Sequence, residues 1–187
     1  MDFNRYISAT EFQPLADVLR KEGRPVAAAK GSRIVSQQHR THLCGIVEEG
    51  AFRYLHLADD GREHIVGYAF EGEFVGDYVS MRIDCPATVT IEAMCDSRIV
   101  MLPLESLEAF YRSDAEHERL GRHLAEHLTA ELYERLLERY SLSAQARYEK
   151  LISRCPRLFE VASLKEIASY LGVRPETLSR IRRRSVH

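Results

Sequence analysis

Apolar and polar positions fall into three successive rhythms along the chain. Over residues 10–23, Phe12, Leu15, Val18 and Leu19 recur at helical spacing behind Thr10, a residue able to cap, and predict a first helix. From Pro25 to about Pro103 the rhythm shortens. Runs rich in β-branched and aromatic residues at 33–35, 43–47, 52–57, 64–70, 88–93 and 98–102 alternate with turn residues such as Gly31, Gly50, Gly72 and Asp96. Asp60-Gly61, between two of these runs, is a hairpin signal. Many short strands at regular spacing predict an antiparallel barrel or sandwich.

From Leu104 the period becomes helical. A short helix over 104–111 is expected to lead into a long one over 114–140, in which Leu120, Leu124, Leu128, Leu132 and Leu136 recur every fourth residue. Such a stripe must be covered. Packing onto the chain's own barrel is one reading; a coiled coil with a second copy is the other. A helix of this length spans about 40 Å, against a radius of gyration of about 13 Å for a 100-residue barrel. Part of the stripe is therefore expected to meet a second chain. Ser141-Leu142-Ser143 breaks the pattern, Ser143 can cap a helix over 144–154, and Cys155-Pro156 stops it.

The last segment is SLKEIASYLGVRPETLSRIRRR, residues 163–184. Ser163 and Glu166 form a capping box, and Leu164, Ile167, Ala168 and Leu171 share one helical face. Gly172 suits a left-handed exit, Pro175 the first turn of a new helix, and Leu178 and Ile181 its inward face. The outward residues are Arg174, Glu176, Thr177, Ser179, Arg180, Arg182, Arg183 and Arg184. Arg and Glu can read guanine and cytosine edges, while Thr, Ser and the arginine cluster can reach phosphates. The plain alternative is a solvated helical hairpin. The small residue, the glycine and the apolar set favour a helix-turn-helix, as in bacterial DNA-binding proteins.

Charge sharpens the division. The whole chain carries −2, but residues 1–140 hold 16 Lys and Arg against 24 Asp and Glu, a balance of −8. Residues 141–187 hold 10 against 4, a balance of +6. Ordinary apolar content (45%) and low net charge exclude a disordered chain. No apolar run reaches membrane length and no leader pattern opens the chain, so a cytoplasmic protein is expected. Four cysteines at 44, 85, 95 and 155 form no short cluster and are expected as free thiols. No GxSxG, Walker, HExxH or GxGxxG motif is present, so no enzyme is expected.

Taken in order, these parts resemble the Crp/Fnr superfamily of transcription regulators, related to the cyclic-AMP receptor protein. Residues 30–80, with turns at Gly50, Gly61 and Gly72, are similar to its cyclic-nucleotide-binding roll, and residues 163–184 to its recognition segment. The resemblance implies an α+β chain: a double-stranded β-helix (jelly-roll) sensor over 1–113, a dimerisation helix and hinge over 114–141, and a helix-turn-helix domain over 142–187. It implies a homodimer that binds double-stranded DNA at a pseudo-palindromic operator, with Glu176 and Arg180 at specificity-carrying positions. Pro175 replaces an Arg-bearing position of the cyclic-AMP receptor, so the operator is expected to differ. The family's phosphate cassette carries Gly-Glu and then Arg-Ser; here Gly76 and Asp77 stand at the first pair, Ala87 and Thr88 at the second. Arg82 is the arginine able to substitute. Leu132 and Tyr133 occupy the purine-contacting positions, and neither hydrogen-bonds a purine edge. An effector other than cyclic AMP is therefore expected, drawn from Gly76, Asp77, Arg82, Thr88, Leu132 and Tyr133. Its identity, and any cofactor, remain unassigned. The segment after Arg184 matches the shorter-tailed branch that lacks a wing.

Two further clusters stand apart. His123 and His127 have a chelating i, i+4 spacing, read as a solvated or interface pair. His39, His42 and Cys44 could hold haem or zinc, though strand alternation separates His39 from the other two. No metal site is assigned. The alternative function is a ligand-binding or haem/redox sensor module acting through a protein partner.

Overall fold

The computed structural model describes residues 3–4 and 12–185. The first helix, α1 (Gln13–Glu22), has Pro14 in its first turn and turns Leu15, Ala16 and Leu19 inward. Thr10, the expected cap, lies outside the described residues.

Eight strands follow: β1 (Arg24–Ala28), β2 (Arg33–Val35), β3 (Leu43–Glu49), β4 (Ala51–Leu57), β5 (Glu63–Phe70), β6 (Phe74–Val75), β7 (Thr90–Ala93) and β8 (Ser97–Pro103). They form two four-stranded antiparallel sheets, β1-β8-β3-β6 and β2-β7-β4-β5, the expected jelly-roll sandwich. Val47, Phe52, Ala69, Ile91 and Ile99 fill the space between the sheets. β1 and β6 had no clear sequence signal. β1 reads RPVAA and is mostly exposed, with Pro25 tolerated because the strand lies at a sheet edge. Pairing with β8, from Arg24 opposite Met101 to Ala28 opposite Ser97, defines it.

The helix α2 (Tyr78–Arg82) interrupts the roll between β6 and β7. After β8 come α3 (Leu104–Arg112) and the 27-residue α4 (Ala115–Ser141), capped by Asp114, whose carboxylate accepts from Glu116 N and His117 N. At Gly121 a Cβ would stand 2.9 Å from the Tyr111 ring, so glycine lets α4 lie close on α3. The leucine stripe does not stay on one face. Four residues at 3.6 per turn advance about 40° each step, about 160° from Leu120 to Leu136. Leu120 and Leu124 are buried against α1 and α3, whereas Leu132 and Leu136 are about half exposed. With Tyr133, Leu137 and Tyr140 they leave an uncovered apolar face on the C-terminal half of α4. Among the described residues, no helix is long and apolar enough to cross a membrane.

The C-terminal module comprises α5 (Ala144–Arg154), α6 (Leu158–Val161), α7 (Leu164–Leu171) and α8 (Pro175–Ser185). Tyr148, Leu151, Leu158, Ile167, Ala168, Leu171 and Leu178 build its core, continuous with residues of β4 and β5. This module is thus docked on the roll of its own chain.

Candidate DNA interface and effector cavity

The DNA-facing candidates are positioned by α7 and α8. Ser163 Oγ accepts from Glu166 N, and the Glu166 carboxylate accepts from Ser163 N at 2.7 Å, closing the capping box. Gly172 ends α7 at φ +66°, the left-handed region. Val173 N then donates to Ala168 O at 3.0 Å, turning the chain into α8. Leu178 and Ile181 are buried beneath α8. The opposite face presents Glu176, Thr177, Arg180, Arg183 and Arg184, which line one surface hollow. Arg174, at the entrance of α8, is exposed beside them. Arg183 Nη2 donates to Ser179 Oγ at 3.5 Å, so Ser179 borders this face. Arg182 lies elsewhere: its guanidinium is stacked 4.3 Å over the Phe159 ring, on the other side of the helix.

A second feature lies between the roll and α4. A cavity of about 450 Å³ is walled by apolar side chains of α1, α3 and α4, among them Leu19, Leu107 and Leu128, together with Gly76, Asp77, Val79, Thr88, Leu132 and Arg135. Four of the six effector candidates (Gly76, Asp77, Thr88 and Leu132) come together there. Arg82 does not: its Nη1 is 3.0 Å from Glu108 on α3, which holds it outside. Tyr133 is 61% exposed on the outer face of α4.

Asp77 is fully engaged. Its carboxylate caps α2 through Ser80 N (3.3 Å) and accepts from Thr88 N (2.8 Å) and Thr88 Oγ1 (3.2 Å). Ala87 is buried in the sandwich core. Tyr54, on β4, has its hydroxyl at the wall, where it accepts from Gly76 N at 3.2 Å; burial pushes its ionisation well above the usual range, so it stays a neutral donor.

Arg135 was missed in the sequence. On α4 it ion-pairs with buried Glu131, donates to Phe3 O (3.2 Å) and Asn4 Oδ1 (3.0 Å), and lies 4.1 Å over the Phe3 ring. A Glu-Arg pair at i, i+4, seven and eleven residues after Leu124 and so on its inward face after the leucines have rotated away, was the available signal. Glu73 was also missed. It is 2% exposed and accepts from Phe3 N (2.7 Å), Asn4 N (2.9 Å), Asn4 Nδ2 (2.9 Å) and Phe70 N (3.1 Å). Burial pushes its carboxyl up to about 7, although these donors pull the other way. The result pins Phe3 and Asn4 between roll and α4.

Phe3, Val66, Leu132 and Arg135 are shared walls: they also line a second cavity of about 480 Å³ between β5, α4, α5 and α7. Three contacts join α7 to the roll there. The Phe3 ring meets Tyr170 edge-on at 5.4 Å, Ile65 N donates to Ser169 Oγ at 3.0 Å, and Arg53 pairs with Glu166 and, at 2.5 Å, with Glu92. Arg147 ties the hinge to the same helix, donating to Leu142 O (2.7 Å) and Leu171 O (3.1 Å).

The metal-type clusters do not assemble. Among the described residues, no group of three His, Cys, Asp or Glu could hold a metal ion. His39 and His42 are exposed. Cys44 donates to Leu102 O at 3.7 Å, with its thiol pushed up to about 12 by burial. His127 packs edge-on against Phe12 at 5.4 Å.

Comparison with known proteins gives a family match and a set of fold neighbours. Residues 25–114 match the family described as the cyclic nucleotide-binding domain. No curated protein sequence matches. FixK2 from Bradyrhizobium japonicum superposes with a TM-score of 0.71 at 21% identity, over 87% of this chain and 83% of that one. CLP of Xanthomonas campestris, a c-di-GMP responsive global regulator, gives 0.68 at 15%, over 92% and 90%. The Thermus thermophilus catabolite activator protein gives 0.57 at 21%, over 94% and 85%. At these identities the likeness is one of fold.

Proposed function

We propose, from the match of residues 25–114 to the cyclic nucleotide-binding domain family and a fold like that of Crp/Fnr regulators, a homodimeric, sequence-specific DNA-binding regulator of transcription whose roll holds a small-molecule effector other than cyclic AMP. The observation that carries the DNA reading is the outward face of α8, where Glu176, Thr177, Arg180, Arg183 and Arg184 converge with no packing partner over them among the described residues. Glu176 and Arg180 offer an acceptor and a bidentate donor to base edges. Arg174, Arg183 and Arg184 offer charge to phosphates. Arg182, stacked on Phe159, is a weaker candidate for contact.

The dimer reading is supported by the uncovered face of Leu132, Tyr133, Leu136, Leu137 and Tyr140. Two copies paired along α4 would offer recognition helices to successive major grooves, about 34 Å apart, at a pseudo-palindrome. The working division is a sensor over 1–113, a dimer helix and hinge over 114–141, and a reader over 142–187, acting in the cytoplasm. Cyclic AMP is disfavoured on two counts. Buried Ala87 stands where the family's phosphate-binding arginine would, and the Asp77 oxygens are already occupied by Ser80 and Thr88. An effector would press on Arg135 and on the Phe3 ring it stacks over, which also abuts Tyr170 of α7, and so shift the reader between DNA-competent and incompetent positions.

The test is fluorescence anisotropy of the full chain on a selected operator and on random duplex across salt. Arg180→Ala should lose about 5- to 150-fold on the operator and little on random DNA. Arg183→Ala should weaken both alike and lower the salt slope by about one. Absence of binding to any duplex at low salt would overturn the DNA reading and favour a ligand module acting through a protein partner.

A further inference from the structure

We propose that the roll cavity takes a neutral, largely apolar small molecule bearing one or two carbonyl-type oxygens, and not a phosphate-bearing or carboxylate ligand. The inference names the ligand class for the effector site above and rests on that reading. Three observations carry it.

The first is charge. Among the described residues lining the cavity, Asp77 and Glu131 are carboxylates and Arg135 is the cation. Arg135 already holds Glu131. An entering anion would lose its water and meet no uncompensated positive charge, an arrangement proteins avoid. The second is the character and size of the walls. Leu15, Leu19, Phe74, Leu107, Leu124 and Leu128 extend the space past the roll into the cleft between α1, α3 and α4, so an apolar body is accepted well beyond the phosphate cassette. Its volume of about 450 Å³ is that of a site for a compact organic molecule.

The third is the pair of donors. Arg135 lines the cavity, and its Nε is buried behind that wall without a hydrogen-bond partner, a donor that a small shift of the side chain would bring to a ligand. The Tyr54 hydroxyl accepts from Gly76 N, and its own proton is directed to no acceptor among the described residues. Groups of this kind are satisfied by neutral acceptor oxygens such as those of a ketone, ester, lactone or amide.

The test uses the full chain and two probes of one skeleton, N-phenyl-1-naphthylamine and its sulfonate, 8-anilinonaphthalene-1-sulfonate, read by fluorescence titration. The neutral probe should bind at least about tenfold more tightly than the sulfonate. Leu128→Trp should fill the cavity and weaken the neutral probe at least about tenfold. Val79→Trp, off the long helix, serves as the second filling variant if the first lowers Tm. Tyr54→Phe should weaken the neutral ketone prodan about fivefold and leave N-phenyl-1-naphthylamine unchanged. Equal or tighter binding of the sulfonate, displacement of the neutral probe by cyclic AMP at matching concentration, or indifference to both tryptophan variants would overturn the proposal. Operator binding measured on the same samples separates the two readings. A chain that binds DNA but prefers the sulfonate loses only the ligand class; one that binds the neutral probe but no duplex loses only the DNA reading.

Discussion

Phe3 is the side chain on which roll, long helix and C-terminal helices meet, and truncating it tests whether they are mechanically joined. Its ring is 2% exposed and meets Tyr68 at 5.4 Å, Phe70 at 6.5 Å and Tyr170 at 5.4 Å, with Arg135 stacked at 4.1 Å. Phe3→Ala keeps the backbone N–H that Glu73 accepts, so the change isolates the ring. Removing a buried Phe costs about 3–5 kcal/mol. Of that, the edge-on pair with Tyr170 accounts for about 0.5–1.5 kcal/mol. The assay is a double-mutant cycle of Phe3→Ala and Tyr170→Ala in urea, followed by tyrosine near-UV circular dichroism because the chain has no tryptophan. A coupling of about 0.5–1.5 kcal/mol is expected, together with faster proteolysis around 141–143 in Phe3→Ala. A single-variant loss under about 1 kcal/mol, or a coupling within about 0.3 kcal/mol of zero, would refute the idea that Phe3 joins the C-terminal helices to the roll.

Two further outcomes follow from the same geometry. Gly172→Ala forces a Cβ into the left-handed region at φ +66°, where its nearest neighbour is the movable end of Arg139 at 2.7 Å. Backbone strain then dominates, and thermal unfolding should report a loss of about 1–2 kcal/mol with weaker operator binding. An unchanged Tm would contradict the assigned turn. Glu73, held up to about 7, binds its proton more readily folded than unfolded. Stability should therefore be greatest at or below about pH 4.5 and decline as pH rises to about 7, by no more than about 3 kcal/mol. Glu73→Gln should flatten this slope; parallel profiles for the two proteins would rule the assignment out.

Much of this arrangement was legible from local pattern. The helix over 144–154, the capping box at Ser163 and Glu166, and the Gly172 exit into α8 were each specified by residues adjacent in sequence. The jelly roll was legible as a class, because short strands and turns repeat. The strands β1 and β6 were not, since RPVAA and Phe74-Val75 carry little apolar alternation and are defined by pairing with β8 and β3. Along α8, Arg182, Arg183 and Arg184 were equivalent in sequence as outward charges. Only the position of Phe159, on α6, separates Arg182 from the other arginines.

The chemistry of the cavity between roll and α4 divides the same way. The resemblance, read on the sequence, implied departures from the family's cassette: Ala87 at the arginine position, Asp77 in place of Glu, and Leu132 and Tyr133 at the purine-contacting positions. Composition also separated an acidic stretch, residues 1–140, from a basic one, residues 141–187. Tertiary structure decided what is present instead. The cavity walls come from α1, α3 and α4 as well as the roll, and Arg135 enters only because α4 lies across it. Glu73 and Phe3 are 70 residues apart and become partners only once the chain is folded. The physical reason is range. Caps, turns and helix faces are settled within a few residues, whereas a cavity and its buried charges are set by elements that meet from distant parts of the chain.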